Sequence, residues 1–260
     1  MSRYKLYVEY LGTKYSGWQI QQNARTVQGE ISAAVGKATG ESKFELYGSG
    51  RTDHGVHALR QVAHLDLKAS LPAGQLRYRL NDALPSDIHV LAIEPALPRF
   101  HARHHAVARS YLYQISRRRT AFGKRLVWWI KDDLDFERMK QAGALFMGMR
   151  NFESFAANDP EEKSTKVLIE RIQMREAGDL ILIRIEGSHF LWGMVRRMVG
   201  VIAEVGRGKL SIEELSGFFG ARSDEPARLA APPSGLFLER VYYPGDQRLR
   251  SLDPVIRIQS

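Results

Sequence analysis

Eight residues, Gly48-Ser49-Gly50-Arg51-Thr52-Asp53-His54-Gly55, carry the chain's densest set of groups able to do chemistry, with His57 just beyond them. Three glycines in that run permit backbone angles closed to other residues and let a partner come close. A carboxylate on such a loop beside an arginine is kept ionised by its neighbour, which suits it as a nucleophile or a general base. The same residues also fit a plainer role, with Asp53 capping a turn and Arg51 neutralising it, and the loop alone does not decide. A third reading takes Asp53, His54, His57 and His64 as metal ligands of a phosphoesterase. Against it, adjacent Asp53 and His54 point in different directions on most backbones, and no second carboxylate cluster completes a two-metal site.

A second chemical group lies far along the chain. From Phe190 to Val205 the residues Leu191, Val195, Met198, Val199, Ile202 and Val205 recur on one apolar face of a helix. Arg196 falls on the border of that face near Trp192, with Gly193 and Gly200 one turn to either side, while Arg197 points further toward solvent. An arginine between glycines has room for a backbone or a ligand to approach, and it could meet a carboxylate from another lobe. Otherwise it is a surface side chain that snorkels.

The elements that must position these groups follow from periodicity and punctuation. Arg3 to Tyr10 reads as a strand, Val27 to Ala38 as a helix, and Phe44 to Tyr47 and Val62 to Leu67 as short strands on either side of the Asp53 loop. A helix over Leu76 to Leu84 and strands over Ile88 to Ile93 and Arg109 to Ser116 complete an amino-terminal lobe, residues 1–116. Residues 117–131 read as a basic connecting segment. The carboxy-terminal lobe, residues 132–260, runs helix (Phe136 to Met147), strands (Val167 to Arg175, Leu180 to Glu186), the Arg196 helix, a helix opened by a Ser211 and Glu214 capping box, and a last strand, Leu236 to Tyr243. Strands arriving in pairs with helices between them predict an α+β fold of two related lobes sharing an extended sheet.

Composition narrows the function classes. The 260 residues contain no cysteine, which removes disulfides, thiolate nucleophiles and Cys-ligated metals. No stretch approaches the ~18 to 20 apolar residues of a membrane helix, and Met1 to Tyr10 lacks a signal-peptide core, so a cytoplasmic protein with no membrane partner is expected. The formal charge is +9, and it is uneven. Between Pro95 and Lys131 there is no acidic residue, against Arg99, Arg103, Arg109, Arg117, Arg118, Arg119, Lys124, Arg125 and Lys131. Cations interleaved with Tyr111, Tyr113, Phe122, Trp128 and Trp129 suit a polyanion whose phosphates need neutralising and whose bases can stack. A solvated basic face and an anionic membrane surface are the alternatives.

Five ordered stretches resemble the TruA-type tRNA pseudouridine synthases: Tyr15 to Gln22 (YSGWQIQQ), Gly48 to Ala58 (GSGRTDHGVHA), Arg109 to Tyr113 (RSYLY), Met194 to Gly200 (MVRRMVG) and Ala231 to Leu238 (APPSGLFL). The second contains the family's catalytic signature, and the match spans nearly the whole chain. The resemblance implies two ferredoxin-like (RRM-like) lobes with a mostly antiparallel sheet flanked by helices, Asp53 as the essential carboxylate, Arg196 as its partner, and Arg51 helping to displace the base. It also implies that Tyr111 meets the target uracil, with Arg109, Arg103 and His57 among the substrate-binding residues. The implied enzyme is a homodimer that isomerises uridine at positions 38 to 40 of the tRNA anticodon arm without metal or organic cofactor. Two departures stand out: Arg60 replaces a usual glycine, and Arg150-Asn151 replaces a usual His-Asp before Phe152 to Phe155.

Overall fold

The computed structural model describes residues 1–158 and 164–258. Their contacts form two compact units, Met1–Val107 with Phe237–Asp246, and Ala108–Leu236 with the chain from Gln247 onward.

The first unit opens with β1 (Ser2–Tyr10), which buries Tyr4, Leu6, Val8 and Tyr10 at the period of two that a strand imposes. α1 (Val27–Thr39) begins where the Thr26 hydroxyl accepts the Gly29 amide at 3.2 Å, and it stops where Gly40 turns left-handed at φ 74°. β2 (Glu45–Gly48), β3 (His57–Leu67), α2 (Ala73–Ala83) and β4 (Ile88–Pro95) follow. β1 pairs antiparallel with β3 from Ser2↔Leu67 to Tyr10↔Ala58, and with β4 from Tyr4↔Pro95 to Tyr10↔Ile88. β2 pairs with the far part of β3, Glu45↔Asp66 to Gly48↔Ala63. The order β4-β1-β3-β2, with α1 and α2 packed together, is the split βαβ arrangement of a ferredoxin-like unit.

In the second unit, β5 (Ala108–Ser116), β6 (Trp128–Trp129), α3 (Phe136–Leu145), β7 (Gly148–Asn151), β8 (Lys166–Ala177) and β9 (Leu180–Gly187) precede α4 (Met194–Gly206), α5 (Ile212–Gly217) and α6 (Glu225–Arg228). β9 lies between β5 and β8, antiparallel to both, so β5-α3-β8-β9-α4 repeats the pattern of the first unit. Every residue of β9 is buried, which its sequence Leu-Ile-Leu-Ile matches. β10 (Leu236–Tyr242) comes last, and from Phe237 it counts with the first unit, running parallel to β3 through Phe237↔His57 and Leu238↔Ala58. Both units are therefore α+β with mostly antiparallel strands. No helix among the described residues is long and apolar enough to cross a membrane.

The structure departs from the sequence reading in α4, in β5 and in the segment after it. α4 starts at Met194, not Phe190, because Gly193 is left-handed at φ 72° and leaves Phe190 to Trp192 outside the helix. β5 counts with the second unit, where the amino-terminal lobe was expected to extend to residue 116, since it pairs along its length with β9 from Arg109↔Gly187 to Ser116↔Leu180. Residues 117–131 likewise lie within that unit and contribute β6, paired with β5 at Ile115↔Trp128.

Candidate active site

The Asp53 loop occupies residues 49–56, between the end of β2 and the start of β3. Along one side it follows β3: the Ser49 amide donates to the Val62 carbonyl at 2.7 Å, and the Gln61 side-chain Nε2 donates to the Gly50 carbonyl at 2.9 Å. On the other side the segment Gly12 to Trp18 grips it. The Trp18 amide donates to Thr52 O at 3.0 Å, the Gly55 amide donates to Tyr15 O at 3.2 Å, and the Tyr10 and Thr52 hydroxyls share a 2.8 Å hydrogen bond. Gly17 makes this grip possible, since at φ 92° a Cβ there would lie 2.4 Å from Thr52 O. Thr52, Val56 and His57 are buried by these contacts, whereas Arg51 and His54 are exposed and Asp53 is partly exposed. A backbone tied at so many polar groups gives up little freedom when a ligand arrives.

His57, expected to meet substrate, is turned inside. It is 1% exposed, its Nδ1 accepts the Gly12 amide at 2.9 Å, and its ring lies 4.9 Å from that of Phe237. Such a ring fixes the end of the loop and has almost no surface for a nucleotide. His64 is buried too, with Nδ1 accepting the Ala102 amide at 3.2 Å. Burial, then the nearby Arg3 and His101, push its pKa down to about 4. Among the described residues no group of three or more His, Asp or Glu side chains is arranged so that it could hold a metal ion. Arg103 is partly exposed, and with Arg51 it lines a shallow cleft whose floor includes Trp18 and Gly50.

The remaining predicted residues belong to the second unit. Arg109 and Tyr111 are two apart on β5, where the Arg109 guanidinium donates to Ser188 O at 3.0 Å and the Tyr111 ring meets Phe190 edge-on at 5.0 Å. Arg196 lies in the first turn of α4. Its Nε donates to Ala231 O at 2.7 Å and its carbonyl accepts the Ala231 amide at 2.9 Å, so one of the guanidinium's five donors fixes the side chain. Gly200, one turn on, admits the Leu229–Ala231 main chain against the helix, the close approach that the flanking glycines suggested. Arg197 does not simply face solvent: it donates to Ala156 O at 2.6 Å.

Tyr113, expected from sequence among the aromatics on which bases could stack, is instead fully buried and donates its hydroxyl to Pro232 O at 2.7 Å. Burial raises its pKa well above the ordinary range, so it stays a donor. The motifs thereby fall into two contact groups. Tyr15 to Gln22 packs on Gly48 to Ala58 in the first unit, and Arg109 to Tyr113 and Met194 to Gly200 both bond to the Ala231 to Pro232 stretch in the second.

The basic window is less uniform than its composition. Arg117 pairs with Glu176 and Arg118 with Asp179, acids at the β8–β9 turn that were invisible as neighbours in sequence, while Arg119 stacks on Trp129 at 5.7 Å. Arg60 lies over the Tyr7 ring at 4.2 Å, and Arg150 over Phe219 at 5.0 Å, so both departures from the family pattern pack on aromatic rings. Asn151 accepts the Thr165 hydroxyl at 2.6 Å.

A partly exposed carboxylate and an exposed arginine on a clamped loop are groups that could do acid–base or nucleophilic chemistry. The sequence profile of the tRNA pseudouridine synthase family matches residues 6–104 and 142–244. A tRNA pseudouridine synthase A 1 of Protochlamydia amoebophila is 38% identical over 94% of this chain and 97% of its own. A tRNA pseudouridine synthase A of Rhodopseudomonas palustris is 39% identical over 94% of this chain and 100% of its own, and one of Acetivibrio thermocellus is 37% identical over the same shares. A solved Cbf5-Nop10-Gar1 complex is 12% identical with a TM-score of 0.38 over 90% of this chain and 57% of that one, too slight a likeness to bear on fold or function. The chain belongs to the tRNA pseudouridine synthase family, and it is an enzyme of the isomerase class.

Proposed function

We propose that this protein converts uridine to pseudouridine in the anticodon stem-loop of tRNA, at positions 38 to 40, with Asp53 as the catalytic carboxylate. The observation that carries the reading is the clamped loop, which buries Thr52 and His57 while Arg51 is exposed and Asp53 partly exposed. In the reaction the bond from uracil N1 to ribose C1′ breaks and the base turns. A bond from C5 to C1′ then forms, the C5 proton leaves, and N1 takes a proton. Atoms and electrons balance within the substrate, so the stoichiometry calls for no redox partner. Asp53 serves by attacking C1′, by adding to C6 or by removing a ribose proton.

Arg51 helps displace the base, whose extrusion from the stack costs about a few kcal/mol. Tyr111 stacks on the uracil, Arg109 and Arg103 meet phosphates, and Arg196 is the cationic partner of Asp53. That last assignment and the role of Tyr111 rest on the family motifs. His57 acts by holding the loop. The enzyme works as a homodimer in the cytoplasm, where its tRNA is.

Chemical mapping of pseudouridine in tRNA transcripts after incubation with the purified protein tests the reading. Modification at positions 38 to 40 is expected. Binding of tRNA with no pseudouridine at any position would make the protein an RNA-binding module on the same fold.

A further inference from the structure

The cleft beside the catalytic loop has a wall that the proposed chemistry does not use. Strand alternation in β2 buries Leu46 and Gly48 and turns Tyr47 outward, where it remains 42% exposed on the same cleft as Arg51 and Arg103. Its ring centroid lies 4.9 Å from that of His101 and 5.9 Å from that of His64, and His101 in turn meets His104 at 4.2 Å. These rings are fixed by main chain: His64 Nδ1 accepts the Ala102 amide, and His101 Nδ1 accepts the amides of Arg103 and His104 at 3.2 and 3.3 Å. An imidazole that accepts at Nδ1 carries its hydrogen at Nε2 and is neutral. The result is an aromatic platform held by main-chain hydrogen bonds, on a cleft also lined by one guanidinium from the catalytic loop and one from the histidine turn. A ring that stacks a base next to cations that meet a phosphate is the chemistry of a single-stranded nucleotide site.

We propose that this cleft is a second nucleotide subsite, which stacks a base flanking the target uridine on Tyr47 and holds its phosphate between Arg51 and Arg103. The subsite rests on the reading that the enzyme acts on RNA, and it adds a determinant of which uridines are accepted, since the neighbour must unstack along with the target.

The test uses the full-length protein with tRNA transcripts. Tyr47→Ala is expected to raise the KM for tRNA on the order of tenfold, the loss of one stacked base, with a smaller change in kcat, and Tyr47→Phe restores the wild-type KM. Equal KM for Tyr47→Ala and wild type overturns the proposal, as does a Tyr47→Phe variant as impaired as Tyr47→Ala. A second readout needs no variant: 5-iodouridine placed on either side of the target and irradiated with wild-type enzyme should crosslink to the peptide bearing Tyr47. Crosslinks confined to other peptides, with turnover intact, sink the subsite alone, whereas wild type that neither binds nor modifies tRNA sinks the RNA reading beneath it.

Discussion

Gly200→Ala probes how the Arg196 helix is held. A Cβ at Gly200 would lie 1.8 Å from the Leu229 carbonyl oxygen and 2.7 Å from its carbon. Non-bonded heavy atoms settle near about 3.5 Å, so the 229–231 main chain must retreat by roughly 1.5 Å or stay compressed. A retreat of that size breaks the two hydrogen bonds that join Arg196 to Ala231, at 2.7 and 2.9 Å. Losing the neutral bond costs about 1 kcal/mol and the charge-assisted one about 1.5 to 3, while remaining compressed costs about 1 to 3. Alanine returns about 1 kcal/mol of helix propensity. Retreat therefore leaves a net loss of about 1.5 to 3 kcal/mol and compression one of up to about 2 kcal/mol, a fall of up to roughly 10 °C in the melting midpoint for a chain of this size. Gly217→Ala is the matched control, because a Cβ there meets nothing within 4 Å. Thermal and urea denaturation of both variants, with turnover measured where each is folded, check the reasoning. Gly200→Ala should lose stability and lose activity beyond its unfolded fraction, and Gly217→Ala should match or exceed wild type. A Gly200→Ala protein as stable as wild type would refute the close packing of α4 on residues 229–231.

Tyr113→Phe removes the donor to the Pro232 carbonyl at a fully buried position and should cost about 1 to 3 kcal/mol, read from urea midpoints; no loss would mean that water or another donor serves Pro232. Stability should also fall with acid. His64 has an ordinary pKa of 6.5 when unfolded and about 4 when folded, so between those values the unfolded chain binds a proton that the folded one refuses. Stability is therefore constant on this account above about pH 6.5 and declines below it, with a slope approaching about 1.4 kcal/mol per pH unit until about pH 4. Asp66, whose pKa is lowered first by its hydrogen bond with Arg3, adds a decline in the same direction at still lower pH. Urea midpoints at pH 7.5 and 5.0 for wild type and His64→Gln check this, and equal pH dependence in the two proteins would contradict it.

Much of this was legible in the chain because it is written in local chemistry. Ser211 and Glu214 announce their helix as a capping box, and the structure forms it in full. The Gly48 to Gly55 loop was legible because three glycines and the polar residues Arg51, Asp53 and His54 have no place inside a strand. What sequence did not yield depends on partners far away. β3 begins at His57, five residues ahead of the apolar run, because Gly12, β1 and β10 supply contacts for residues that look like loop. Phe190 to Trp192 continue a helical apolar pattern, yet the left-handed Gly193 separates them from α4. Arg117 and Arg118 looked available for phosphates until the β8–β9 turn brought Glu176 and Asp179 beside them. Tyr113 reads in sequence as an aromatic available for stacking, because the partner that holds its hydroxyl inside is 119 residues away.

The central claim is that Asp53 carries out uridine isomerisation, and tritium release from tRNA labelled at uracil C5 tests it most directly, with wild type and Asp53→Asn side by side in excess chelator. The account predicts release by wild type, none by Asp53→Asn, and tRNA binding retained in both. Release by Asp53→Asn at the wild-type rate would contradict it.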